Sequence, residues 1–105
     1  MARFLSYYSQ RSNHLEAASI DFLDPTHNLD LKPVVGRVVA RFRSDAGITQ
    51  EKLAEAADLD AGYISLIERG HRMPTVDTIF RLCKGLKASP SEIIREVEKQ
   101  AENDR

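Results

Sequence analysis

The sequence predicts an all-α fold: five short helices in one domain over 31–98, preceded by an N-terminal arm at 1–30 and followed by a polar tail at 99–105. Three observations predict it. From residue 31 onward apolar side chains recur at three- and four-residue spacing, the period of a helix with one buried face. Thr49, Asp60, Thr75 and Ser89 each stand just ahead of such a run, where a side-chain oxygen caps free backbone N–H groups. No strand pattern is evident.

In the first helix Val35, Val38, Val39 and Phe42 face inward, and Pro33 falls where a first turn tolerates it. Gly47 ends that helix and leaves Ile48 free to pack inward. Thr49 caps the second, whose apolar face is Leu53, Ala54 and Ala57. Asp60 caps the third, 61–69, with Ile64 and Ile67 inward and Gly70 as its stop. The fourth opens at Thr75 after Pro74, and Val76, Ile79, Phe80, Leu82, Cys83 and Leu86 are expected in the core, with Gly85 near its end. Ser89-Pro90-Ser91-Glu92 is a capping box with proline at the first helical position, so a fifth helix starts there and carries Ile93, Ile94 and Val97. Beyond it, Glu98 to Arg105 is polar and expected to fray. The arm crowds Phe4, Leu5, Tyr7 and Tyr8 at one end and Ile20, Phe22 and Leu23 at the other, more aromatic character than an inert leader carries.

The chain of 105 residues has a net charge of −1, an unpromising figure for a nucleic-acid binder until its distribution is read. Residues 1–32 and 89–105 are net acidic, while residues 33–88 hold nine basic side chains against seven acidic ones. Non-specific DNA affinity follows the phosphates neutralised locally, so the basic middle permits DNA binding. No apolar run is long enough to span a bilayer, which needs ~20 residues. The start MARFLSYYSQRSN lacks an apolar signal core, so a cytoplasmic location is expected. Cys83 is the single cysteine, which excludes an internal disulfide and reads as a small buried hydrophobe. His14, His27 and His71 have no metal-ligand spacing, and no glycine-rich phosphate loop follows a strand, so neither enzyme activity, metal nor cofactor is expected.

The informative stretch is Gly47-Ile48-Thr49-Gln50-Glu51-Lys52-Leu53-Ala54, then Leu59, then Tyr63-Ile64-Ser65-Leu66-Ile67-Glu68-Arg69-Gly70, then Pro74. Two short helices joined by Ala57-Asp58-Leu59-Asp60 must cross steeply, with a small residue where they approach and Ala54 fitting that need. At these residues the chain closely resembles the Xre family, the lambda-repressor-like and Cro-like helix-turn-helix domains, over about residues 34–97. The resemblance implies that the third helix lies in the major groove of double-stranded DNA while the second bridges the backbone above it. Asp58 departs from the family pattern, which has glycine in a left-handed conformation there; aspartate tolerates that conformation better than most residues.

Carried over residue by residue, the resemblance implies that Gln50, beside the cap Thr49, hydrogen-bonds a phosphate at the positive end of the second helix. Arg69, His71 and Arg72 would flank the groove, unless they form only a solvated basic loop. Arg43 and Glu68 match a family ion pair joining the first and third helices, with Arg43 also free to approach phosphate. Base reading falls to Ala61, Gly62, Tyr63, Ser65 and Leu66; Tyr63 is equally a packing residue. None of these is Gln or Asn, so the usual bidentate reader of adenine is missing.

The leading expectation is a sequence-specific repressor or autoregulator that works as a homodimer on an operator, of the phage or restriction-modification controller type. Ile93, Ile94 and Val97 are expected at the dimer seam, some of them also closing the core. The alternatives are an antitoxin that holds a partner protein through residues 1–30, and an interaction adaptor or coactivator on the same fold.

Overall fold

A computed structural model describes residues 30–104. The arm expected at 1–30 therefore lies outside the described residues except for Asp30. Five helices follow in order: α1 Leu31–Ala46, α2 Gln50–Ala57, α3 Ala61–Glu68, α4 Val76–Leu86 and α5 Pro90–Asn103. No strand occurs among the described residues.

Each helix starts on a side-chain cap. Asp30 accepts from the Lys32 N–H, Thr49 from Lys52, Asp60 from Gly62, Thr75 from Thr78 and Ser89 from Glu92, all at 3.1–3.3 Å. Three of the helices end on a left-handed residue. Gly47 takes that conformation after α1 at φ 72°, and Asp58 after α2 at φ 56°. After α4 the residue is Lys87 at φ 55°. Gly85 lies near the end of α4, as expected, and is buried. A side chain there would press on Leu53 Cδ1 and Ala56 Cβ, 2.7 and 3.1 Å from an added Cβ, so this glycine lets α4 lie close on α2. Because Asp58 and Lys87 hold a conformation disfavoured for residues with a Cβ, Asp58→Gly and Lys87→Gly should each raise stability by about 0.5–1 kcal/mol in urea melts. No gain from either would mean that their side-chain contacts offset the strain.

The core is a single cluster. Val38, Val39, Leu53, Ile64, Ile67, Leu82 and Ile93 are its largest fully buried members. Helix α2 packs chiefly on α4, and α1 packs on α3 and α5. Phe42, Ile48 and Leu59 close its margins.

Three expectations need correction. Val76 and Phe80 are not core residues: they are 71% and 57% exposed, because Thr78, Ile79, Leu82, Cys83 and Leu86 already fill the inward face of α4. Ile93 and Val97 are buried within the protomer at 1% and 7%, so of the three expected seam residues only Ile94, at 50%, is free to meet another surface. The polar stretch after Glu98 does not leave the domain at 99. It continues α5 to Asn103, where Ala101 packs on the core and Arg37 pairs with Asp104 at 2.6 Å. Arg41 pairs with Glu96 at 3.1 Å, so α5 is fastened along α1 by ions as well as by apolar contact.

Candidate nucleic-acid interface

Helices α2 and α3 cross with only Asp58, Leu59 and Asp60 between them. The turn holds because the left-handed Asp58 lets its own N–H reach Glu55 O (3.3 Å) and the Leu59 N–H reach Ala54 O (2.9 Å). Leu59 then folds back on the core. The inward stripe of α3 is Ile64 and Ile67, and what remains outward defines the face available to a ligand.

On that face Gly62 is exposed, and Ser65 and Leu66 are half-buried. Ala61 and Tyr63 are half-buried and pack against the core, so the body of Tyr63 is a packing element and any outside contact falls to its exposed remainder. Past the helix, Arg69, His71 and Arg72 are all exposed. The Arg69 Nε donates to the Ser65 carbonyl at 3.3 Å, turning the guanidinium back along α3 with both Nη groups left over. Gly70, at φ 79°, lies against the start of α1: an added Cβ would sit 3.1 Å from Pro33 Cα.

At the other end of the face, Thr49 is exposed and its hydroxyl oxygen is used by the Lys52 N–H. Gln50 is half-buried rather than freely projecting, because its Nε2 donates to Glu68 Oε1 at 2.9 Å. Arg43 meets the same carboxylate bidentately, Nε to Oε2 at 2.6 Å and Nη2 to Oε1 at 3.0 Å. Its Nη1 also donates to the Ile48 carbonyl at 2.9 Å. The Glu68 side chain is only 6% exposed and Arg43 21%, so the pair is largely withdrawn from water. The hydrogen bond to Glu68 holds the Arg43 guanidinium above its ordinary pKa, against the opposing effect of burial.

Two features of this arrangement escaped the sequence. Gly36 in α1 is where the recognition element is seated: a Cβ there would fall on the Ile67 carbonyl oxygen and 2.7 Å from that of Glu68. The signal was a lone glycine in the interior of a helix, between Val35 and Arg37. The tie from Gln50 to Glu68 spans 18 residues and has no local signature.

Among the described residues no group of three or more His, Cys, Asp or Glu could hold a metal ion, and no helix is long and apolar enough to cross a membrane. Burial pushes the Cys83 thiol up, away from the thiolate form a nucleophile needs.

A pair of short helices joined by a three-residue turn, the second with its outer edge facing outward and arginines beyond its end, is the arrangement of a DNA-reading helix-turn-helix. The helix-turn-helix family profile matches residues 39–93. The chain belongs to that family, in its Xre or lambda-repressor-like branch, a family of DNA-binding transcription regulators. It is 36% identical over 66 residues to the uncharacterized HTH-type transcriptional regulator y4dJ of Sinorhizobium fredii, covering 63% of this chain and 86% of that one. It is 39% identical over 70 residues to the control protein C.BamHI of Bacillus amyloliquefaciens, covering 66% and 84%. Among solved structures, the wild-type restriction-modification controller protein C.Esp1396I superposes with a TM-score of 0.64 at 34% identity, over 70% of this chain and 97% of that one.

Proposed function

We propose that this protein is a dimeric, sequence-specific repressor or autoregulator of the restriction-modification controller kind, acting on operator DNA in the cytoplasm. The observation that carries the reading is the outward edge of α3, with Gly62, Ser65 and Leu66 open between Gln50 at one end and Arg69 and Arg72 at the other. The likeness to controller proteins over nearly their whole length supports it.

The edge is short and poor in donors. Leu66 or Ala61 can meet a thymine methyl and Ser65 can bond several bases, so neither discriminates strongly. Arg69 is the base reader in this proposal. Its Nε is held by Ser65, and the remaining two Nη groups are what a guanine O6 and N7 require. Thr49, Gln50, His71 and Arg72 serve the phosphates, and DNA shape supplies the rest of the specificity. Arg43, expected to be free to approach phosphate as well, has all three guanidinium nitrogens engaged inside the protein. Arg69→Ala should then lower operator affinity by about 1–3 kcal/mol and leave random-sequence affinity nearly unchanged, whereas Arg72→Ala should weaken both and reduce the salt slope by about one unit. Competition binding across a salt series reads both effects; equal losses on the two duplexes would remove Arg69 as a base reader.

One domain reaches one half-site, which favours a two-fold dimer with α3 helices ~34 Å apart on successive major grooves. Its seam is assigned to Ile94 together with Phe80 and Val76, the exposed apolar residues of α5 and α4. Phe80→Glu should therefore give a folded monomer by light scattering and cut operator affinity at least tenfold, since two linked half-sites bind far better than one. A dimeric Phe80→Glu protein would place the seam elsewhere.

The test of the function itself is selection of duplexes from a random pool followed by gel-shift competition. A regulator should prefer its selected site by ~10³-fold or more over random DNA. An adaptor on the same fold would show no such preference. An antitoxin would show it and also capture a toxin through residues 1–30.

A further inference from the structure

Residues 1–29 join the described domain at Asp30, the cap of α1. That junction lies against the loop between α3 and α4: a Cβ added to Gly70 would sit 3.1 Å from Pro33 Cα and 3.6 Å from the Lys32 carbonyl carbon. The arm therefore enters beside Arg69, His71 and Arg72, the exposed groups that follow α3. Two exposed apolar side chains flank the same contact, Leu31 at 39% and Met73 at 44%. Among the described residues neither Arg69 nor Arg72 is paired with a carboxylate.

The nearer part of the arm complements this surface in both respects. Residues 12–30 hold four carboxylates, Glu16, Asp21, Asp24 and Asp30, and no Lys or Arg. Asp30 is taken by Lys32 at 3.3 Å, which leaves three. Ile20, Phe22 and Leu23 are interleaved with them, so acid and apolar groups arrive together. Asp24 is six residues from Asp30, a tether of at most ~20 Å when extended, which keeps it near the loop. The size of the patch also selects its occupant. Two side chains fall far short of the ~800 Å² per partner that a stable interface between separate proteins buries. A tethered segment escapes that requirement, because a short linker holds it at millimolar effective concentration, on the order of 10⁻³ M.

We propose that residues 16–24 dock on Leu31, Met73 and the loop of Arg69 and Arg72, and that this contact competes with DNA. The proposal rests on the DNA-binding reading. Arm carboxylates and DNA phosphates seek the same guanidinium groups, so only the fraction of molecules with the arm released is competent to bind. Apparent affinity falls by that fraction, on the selected duplex and on random sequence alike.

Full-length variants test this. Affinity is measured for a duplex selected from a random pool by the wild-type protein and for a mixed-sequence duplex. Glu16→Gln, Asp21→Asn and Asp24→Asn together keep the length and apolar residues of the arm, and should tighten both complexes about 3–10-fold. Met73→Ser changes no charge; it should tighten both about 2–3-fold with the wild-type arm and have no further effect in the triple variant. Equal gains from Met73→Ser in the two backgrounds would mean that Met73 acts without the arm, and would overturn the proposal. No gain with the wild-type arm would overturn it too, since the carboxylates would then merely repel DNA. So would weaker binding by the triple variant, which would make the arm an aid to DNA binding. Nuclear magnetic resonance without DNA gives a second readout. The backbone amide signals of Gly70, His71 and Arg72 should move between the wild type and the triple variant, although the substitutions lie more than 40 positions away; superimposable signals would overturn the docking. A wild-type protein that selects no duplex would sink the regulator reading, and the amide signals would still decide the docking.

Discussion

Glu68→Ala should lower the unfolding free energy by about 3 kcal/mol, a large share of the ~5–15 kcal/mol that holds a domain folded, and so lower the melting temperature and the temperature up to which DNA is bound. The reason is that the change strands a cation. Arg43 is 21% exposed and keeps the Ile48 carbonyl, so the penalty falls at the low end for a broken buried pair. The attraction of the pair itself is a smaller matter, since taking two charges out of water offsets most of it. A corollary separates the two effects: Arg43→Leu combined with Glu68→Met should be closer to wild type than Glu68→Ala alone. Urea denaturation of the single and double variants decides it. A Glu68→Ala protein as stable as wild type would make the pair a surface contact of little energetic weight.

Gly36→Ala should cost about 2–3 kcal/mol, although alanine is the better helix former by about 0.5–1 kcal/mol. The new methyl would meet the carbonyl oxygens at the end of α3, which are backbone atoms and cannot swing aside. Relief requires α1 and α3 to separate, which would also pull Arg43 away from Glu68. Gly85→Ala makes the contrast. There the tightest neighbour is the end of the Leu53 side chain, which can adjust, so the overpacking and the gain in helix propensity should leave a net change under about 1 kcal/mol. Denaturant midpoints at unchanged slope measure both. If Gly36→Ala proves neutral, α1 and α3 have room that the crossing of their backbones denies.

Most of the helix ends are local features of the chain. Caps at Thr49, Asp60, Thr75 and Ser89, the turn at Asp58 and the stop at Gly47 depend on residues within about four positions of each other, and short-range hydrogen bonding and backbone sterics decide such features wherever the segment lies. The helix-turn-helix pattern and the pairing of Arg43 with Glu68 were legible for a different reason, a family resemblance that holds along the motif even though Asp58 replaces the family glycine. Tertiary structure decided the rest. Periodicity says that a helix has an apolar face but not how wide the partner surface is, so Val76 and Phe80 read as core and lie outside it, while Ile93 and Val97 are consumed by it. The polar stretch after Glu98 reads as a tail because its own residues bury little; Arg37, some 67 positions away, gives its end a partner. Gln50 reads as a free phosphate donor until the crossing of α2 over α3 brings Glu68 to its amide. Gly36 owes its importance to backbones that meet only once the helices are packed, and no local pattern carries the distance between two helices.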